Sequence, residues 1–330
     1  NSDVRGFFDF RQGVQDYTNY DITNSASLWQ GQTTFGPSEG LAAIQYGSKI
    51  IFAANNKVYV YQDIIKQVFS VLDLLSTTDQ VTCFAVFKDK LYLGTSNGYI
   101  YSSYNGEFWS LVNAKDPLNP GSYKAIKPIK TMTTLGKYLF IGTTQGTTLY
   151  SSVYSFDGRS LVNIKDFEVA EITSSASFAN YVYFGMGDGY GNESSSIYKF
   201  NNSEWTKILS STSDSIDALV YSKAANSIVA GFSGGQIWKL PFDSNSDATS
   251  WSLWHETYAD NFYSLTNDTG GNYLYAATTN GVYGYFKSQS QFKLITSYKS
   301  NTLGLNAVCK GFLTFALGLS DSKADMMEYN

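Results

Sequence analysis

The chain has 330 residues; 16% are aromatic, and only 15% are charged, against about a quarter in an ordinary soluble domain. A net charge of -5, a pI near 5.0 and the lack of any Lys/Arg run exclude a basic nucleic-acid-binding face. They also make an anionic membrane surface a poor partner. The longest apolar run, near Gly311–Leu319, falls short of the ~18 residues a spanning helix needs, so no membrane insertion is expected.

The first 25 residues carry Phe7, Phe8, Phe10, Tyr17 and Tyr20, too aromatic a set for a flexible tail. Residues 1–25 read as an arm that packs against something, a neighbouring subunit being one candidate, and residues 26–330 as one domain. Asn1 in place of Met is expected of a processed terminus or of a chosen expression boundary.

From residue 49 onward one pattern recurs. An apolar, aromatic-rich strand reaches a small residue, then a polar turn, then a second strand. The small residues are Ala53, Gly94, Gly142, Gly185, Gly231, Ala277 and Ala316. Their spacing of about 39 to 48 residues is that of four-stranded propeller blades. A strand precedes each repeat: Leu41–Tyr46, Val81–Phe87, Ile129–Leu135, Ile172–Phe178, Ile216–Ser222, Phe262–Asp268 and Leu303–Cys309. Outer strands follow at Gln67–Asp73, Phe108–Asn113, Ser160–Ile164, Trp205–Ser210, Trp251–Glu256 and Phe292–Tyr298, six for seven repeats.

The segment Ala26–Gln30, with Leu28 and Trp29, supplies the missing outer strand. The expected fold is therefore all-β: a seven-bladed β-propeller of four-stranded antiparallel blades, its ring closed by an N-terminal strand so that no sheet edge is left open. The turns Asn97-Gly98, Gln145-Gly146, Asp188-Gly189, Gly234-Gly235 and Asn280-Gly281 put Gly where a type I′ hairpin needs positive φ.

The turn Ser102-Ser103-Tyr104-Asn105-Gly106-Glu107-Phe108-Trp109 resembles the Asp-box of sialidase-like propellers, with Tyr104 where that box has Asp. Ser155–Gly158 and Asn201–Trp205 echo it more weakly. In that family the box is a structural turn away from the active site, so the resemblance implies a propeller and no activity. The repeat as a whole is similar to propellers of secreted and of phage or virus appendage proteins. The low charge and high Tyr content look like surface proteins of thermoacidophilic archaea and their viruses. An extracellular, cell-surface or virion location is what these likenesses imply. Three sequons, at Asn192, Asn201 and Asn267, are compatible with secretion.

Catalytic chemistry is scarce. A sialidase needs three Arg around the substrate carboxylate; here Arg5 and Arg11 lie in the arm and Arg159 in a turn. His255, the single His, sits in an outer strand, where a structural role fits better than a hydrolase triad. Cys83 and Cys309 read as buried thiols, with a disulfide as the alternative. Paired carboxylates on the loops, from Asp166, Glu168, Glu171, Asp188 and Glu193, leave a carbohydrate-active enzyme open. Asp188, Asn192 and Glu193 on a Gly-rich loop also offer hard oxygen ligands for Ca2+, the one cofactor considered.

Two segments exceed minimal loop length: Ala114–Pro128, stiffened by three Pro and carrying Tyr123, and Met186–Ser196, carrying Tyr190. Long loops on a rigid scaffold are where binding concentrates. The candidate ligand-binding residues are therefore Tyr123, Tyr190, Asp188, Asn192 and Glu193. The preferred function is a non-catalytic interaction module for a glycan or protein partner. A carbohydrate-active enzyme and a purely structural subunit are the alternatives.

Overall fold

The computed structural model describes residues 29–34, 40–47, 49–54, 56–62, 67–74, 78–112, 115–116, 119–123, 126–144, 150–168, 171–187, 195–210, 214–243, 250–259, 262–267, 271–288, 290–297, 305–310, 314–320 and 323–329. The arm of residues 1–25 lies outside them.

Six blades are each made of four strands consecutive in sequence, paired antiparallel in chain order. Blade 1 comprises Gly40–Tyr46, Lys49–Ala54, Lys57–Gln62 and Gln67–Asp73. Blade 2 comprises Val81–Phe87, Lys90–Thr95, Ile100–Ser103 and Ser110–Leu111. Blade 3 comprises Ile129–Leu135, Tyr138–Thr143, Tyr150–Phe156 and Leu161–Glu168. Blade 4 comprises Glu171–Phe178, Tyr181–Gly187, Ser196–Phe200 and Trp205–Ser210. Blade 5 comprises Ile216–Ser222, Ser227–Phe232, Gln236–Pro241 and Ser252–Glu256. Blade 6 comprises Phe262–Asn267, Tyr273–Thr278, Gly281–Phe286 and Gln291–Ser297.

A further four-stranded sheet draws on distant parts of the chain. Trp29–Thr34 pairs with Lys323–Tyr329, which is followed by Thr314–Ser320 and Leu305–Lys310. The blades with described side chains thus number six, against the seven that the repeat predicts. The N-terminal strand starts at Trp29, so Leu28 lies outside the described residues.

By contact density the chain divides into two units. One, Leu41–Tyr221, holds blade 1 from Leu41 onward, blades 2 to 4 and the first strand of blade 5 up to Tyr221. The other joins Asn1–Gly40 to Ser222–Asn330.

Within each blade burial falls from inside to outside. The second strand is buried on both faces, as in Tyr138–Thr143 and Ser227–Phe232, while the fourth strand is mostly exposed, as in Leu161–Glu168. A strand covered on both faces must read as a continuous apolar run, which is why the second strands carried the repeat so clearly. In the first unit the core is a series of layers between consecutive blades. Val58 and Val60 meet Leu91 and Leu93; Tyr92 and Ile100 meet Ile129 and Leu139; Phe140 meets Val182 and Phe184. Trp205 closes the third layer, its ring stacked on Phe200 at 4.5 Å.

In blades 2 to 5 the glycine of the second strand answers to a neighbouring blade. A Cβ on Gly94 would lie 2.4 Å from Ile129 Cγ2, and one on Gly142 would lie 2.5 Å from Ile172 Cγ2. On Gly185 it would lie 2.7 Å from Ile216 Cγ2, and on Gly231 2.3 Å from the Phe262 ring. In each case a residue of the first strand of the next blade fills the space a side chain would take, joined at Gly185 by Ser174 Oγ of its own blade at 2.5 Å. The opposing first strand carries a β-bulge at the same level, between Val81 and Cys83, Ile129 and Thr131, Ile172 and Ser174, and Phe262 and Ser264. A bulge leaves one residue outside the ladder and increases local twist. At two blades that residue is Thr, and its Oγ1 donates to the carbonyl opposite: Thr82 to Gly94 and Thr173 to Gly185, both 3.1 Å.

Candidate interaction surface

Each blade has one edge bearing its second-to-third-strand turn together with the connection to the next blade. In blade 2, Gly98 N donates to Thr95 O and Thr95 N donates to Tyr99 O, both 3.0 Å. Positive φ falls on Gly98 (81°) and not on Asn97. In blade 5, Gly235 N donates to Phe232 O at 2.9 Å, and φ is 79° at Gly235 but not positive at Gly234. A positive φ at the last turn residue alone defines a type I turn followed by a bulge glycine, not the type I′ turn expected from the dipeptides.

The reason lies in the connection that crosses above. Ile126 N donates to Gly98 O at 3.0 Å, and a Cβ on Gly98 would lie 1.9 Å from Ile126 O. Asp79, fully buried, fixes the same turn: its Oδ1 accepts from Gln80 N, Ser96 Oγ and Asn97 N at 2.9 to 3.1 Å.

Blades 5 and 6 place a tyrosine on this edge that sequence reasoning missed. Thr257 and Ala259 are buried, while Tyr258 between them is 83% exposed with φ of 53°. A left-handed backbone is uncommon for a bulky residue and costs roughly 1–2 kcal/mol. Contacts from both blades impose it. Thr257 donates to Gly235 O through N (2.9 Å) and Oγ1 (2.8 Å); Tyr283 Oη donates to Thr257 O (2.9 Å); Asn280 Nδ2 donates to Tyr258 O (2.9 Å). The backbone is locked and the ring stands in solvent. Nothing in Thr257-Tyr258-Ala259 announces this, because the constraint comes from Gly235, Asn280 and Tyr283.

The residues expected to bind fare differently. Segment 114–128 is not an open loop: Lys115–Asp116 and Asn119–Tyr123 pair as a two-stranded ribbon, with Tyr123 opposite Lys115 and Pro120 inside the second strand. Asp188, Tyr190, Asn192 and Glu193 lie outside the described residues, as do Arg5 and Arg11. Among the described residues no three His, Cys, Asp or Glu side chains are grouped to hold a metal ion.

The carboxylates expected on inter-blade loops sit in strands. Asp166 and Glu168 end the outer strand of blade 3, Glu168 facing Tyr150, and Glu171 opens blade 4 opposite Gly187. Asp166 Oδ1 accepts from Ser152 Oγ (2.5 Å) and Asn163 Nδ2 (3.0 Å), with Lys127 Nζ 4.0 Å away. The Ser152 bond, helped by Asn163 and Lys127, holds its carboxyl below the usual range. That is a carboxylate engaged in tying strands together. His255 is stacked on Phe292 at 5.0 Å, and burial lowers its pKa. Burial pushes the Cys83 thiol up to about 12, which leaves it unreactive at neutral pH.

The opposite edge carries the first-to-second and third-to-fourth-strand turns. Side-chain amides and carboxylates organise the latter. Asn105 Oδ1 accepts from Glu107 N (3.0 Å) and Phe108 N (3.1 Å); Asp157 Oδ1 accepts from Arg159 N (2.8 Å) and Ser160 N (2.7 Å); Asn201 Oδ1 accepts from Ser203 N (3.0 Å) and Glu204 N (2.8 Å). These are Asx turns. In blade 2 the capping residue is Asn105, one position past the Tyr104 that was aligned with the sialidase box, so the box itself is not supported.

The blades and their order define a β-propeller of four-stranded antiparallel blades. No family profile and no curated protein matches the chain. Among solved structures it is similar to YCF48 bound to D1 peptide, with 13% identity and a TM-score of 0.66 over 91% of this chain and 96% of that one. It is similar to the WD40 propeller domain of Doa1, with 13% identity and a TM-score of 0.65 over 92% and 97%. YCF48 from Cyanidioschyzon merolae matches with 14% identity and a TM-score of 0.63 over 92% and 98%. At such identities the likeness establishes the fold alone. Among the described residues, no helix is long and apolar enough to cross a membrane.

Proposed function

We propose that this propeller is a non-catalytic interaction module that takes a protein or peptide partner on the blade 5–6 edge, with Tyr258 as an anchor. One observation carries the reading: Tyr258 is 83% exposed on a backbone held in the left-handed region. Strain kept in an exposed residue is a mark of functional positions, and pre-set aromatic rings dominate binding energy at interfaces. YCF48 bound to D1 peptide and a propeller in the mitotic checkpoint complex, the latter with a TM-score of 0.63, support a macromolecular partner by analogy of fold. A low charge and a neutral Tyr-, Ser- and Asn-rich composition support display outside the cell or on a virion.

We also read the sheet of Trp29–Thr34 with the last three strands as a seventh blade that closes the ring; its strand order supports this.

The test is Tyr258→Asn, since Asn accepts left-handed φ. Stability should hold or rise by up to ~1 kcal/mol as the strain on a bulky residue is relieved, while proteins retained by the wild type from its source extract should be lost. Identical retention by both forms would discard this reading. Binding on a glycan array that Tyr258→Asn abolishes, with no protein retained, would replace the protein partner by a glycan.

A further inference from the structure

His255 is the one histidine in the chain, and histidine is the side chain whose ordinary pKa falls between pH 5 and 8. It lies in the outer strand of blade 5, opposite Ile237 and three residues before Tyr258. Its ring is stacked on Phe292 at 5.0 Å and meets Tyr283 edge-on at 5.9 Å, both in blade 6. Tyr283 Oη in turn donates to Thr257 O (2.9 Å), Thr257 N donates to Gly235 O (2.9 Å), and Asn280 Nδ2 donates to Tyr258 O (2.9 Å). The ring that packs on His255 is thus the ring that holds the strand end carrying Tyr258.

The charges around His255 are few. Glu256, next in the strand, favours a proton on the imidazole, and burial outweighs it. The third strand of blade 5 brings Lys239, whose Nζ lies over the Trp254 ring at 4.8 Å. Blade 6 brings Tyr285, which packs on Trp254 and Phe292, and Lys293, next to Phe292 in sequence. Burial raises the pKa of Tyr283, so its hydroxyl stays a donor through this range.

An imidazolium keeps its hydration only if the strand end moves off blade 6. With the strand end closed, His255 takes a proton at lower pH than it does in water. The closed form is therefore fully favoured above about pH 6.5 and loses ground to an open form as pH falls. Tyr258 biases the balance in the same direction. Its left-handed backbone is uncommon for a bulky residue, and it relaxes once the bonds to Thr257 and Tyr258 lapse.

We infer that residues 255–258 form an acid-sensitive latch: when His255 takes up a proton, Tyr283 lets go of Thr257, Tyr258 leaves its left-handed conformation, and a partner held there is released. The release, though not the latch, rests on the reading of Tyr258 as an anchor.

Hydrogen exchange of the full chain at pH 7.5 and pH 5.5, corrected for the intrinsic rate, tests the latch. Amides of residues 257 to 259 should open at least about threefold more at the lower pH, as proton linkage requires. Those of the buried strand Ser227–Phe232 should not change. His255→Phe, which keeps the stack, should remove the pH dependence. Tyr283→Phe, which keeps the ring and loses the bond to Thr257, should open these amides already at pH 7.5. A wild type indifferent to pH, or a His255→Phe variant as sensitive as the wild type, overturns the inference. Proteins retained from the source extract at pH 7.5 should elute at pH 5.5 from the wild type and stay on His255→Phe. Retention by the wild type at both pH values also overturns it. If nothing is retained while exchange shows the opening, the anchor reading falls and the latch stands.

Discussion

His255 shows how much a single side chain can report about a propeller that uses little charge. Its ring is stacked on Phe292 and lies edge-on to Tyr283, and burial lowers its pKa. In the unfolded chain a histidine takes up a proton near pH ~6.5; the folded form resists until lower pH. In that window the unfolded state binds more protons, so stability is full above about pH 6.5 and declines as pH falls towards the folded pKa. The carboxylates held low, Asp157 by the Ser160 and Arg159 amides and Asp166 by Ser152 and Asn163, act in the same direction, but only below pH ~4. The denaturant midpoint should therefore drop between pH 7 and pH 5 in the wild type and stay nearly flat in His255→Phe, which keeps the stack on Phe292. An equal drop in both would show that another group titrates in this window.

At the scale of strands, blades 2 to 5 rest on a repeated contact between a bare glycine and an apolar residue at the start of the next blade. Gly142 illustrates it, with Ile172 Cγ2 at 2.5 Å and Thr131 Cγ2 at 2.8 Å from the place of a Cβ. All three residues are buried, which leaves a methyl group little room. Gly142→Ala should cost roughly 1–3 kcal/mol by overpacking. Ile172→Ala, which alone leaves a cavity, should cost less in the Gly142→Ala background than in the wild type, a coupling expected of residues in contact. Additive losses in urea melts would show that the two side chains do not compete for one space.

This contact also explains what could be read in the chain. A second strand buried on both faces has to be apolar, and its small residue has to recur, so blade spacing was written in residues such as Gly94, Gly142, Gly185 and Gly231. Ends of strands were less legible. Phe108 is apolar and extends the pattern, yet it stands in a turn, and the outer strand of blade 2 is only Ser110–Leu111. The turn type departs from the expected I′ form because Gly98 and Gly235 answer to the connection crossing above them, a partner more than twenty residues away. For the same reason Tyr258 was invisible: its conformation is set by Gly235 and Asn280, and its own neighbours carry no signal.

At the scale of the chain, one pairing differs in kind from the rest. Six blades are made of consecutive strands, whose hairpins form locally, but Trp29–Thr34 must find Lys323–Tyr329 across nearly the whole sequence. Loop-closure entropy grows only with the logarithm of length, so such a pairing costs a few kcal/mol more than a hairpin and no more. What it returns is the covering of an otherwise bare edge of Lys323–Tyr329, and an uncovered edge templates aggregation. In an edge strand alternate amides face the partner, so two adjacent prolines must remove at least one bond to Lys323–Tyr329. Gln30 and Gly31 face Glu328 and Met327 in register and are the positions to use. Gln30→Pro/Gly31→Pro should lower the denaturant midpoint by the equivalent of roughly 1–3 kcal/mol, the loss of one or two ladder bonds and their packing. It should also bring concentration-dependent association on size-exclusion chromatography. Blades 1 to 4 share no strand with this sheet, so the half-buried Cys83 thiol, whose pKa burial pushes up to about 12, should react with thiol reagents no faster than in the wild type while the midpoint falls. A variant as stable and monomeric as the wild type would mean that the N-terminal strand contributes nothing to closing the sheet.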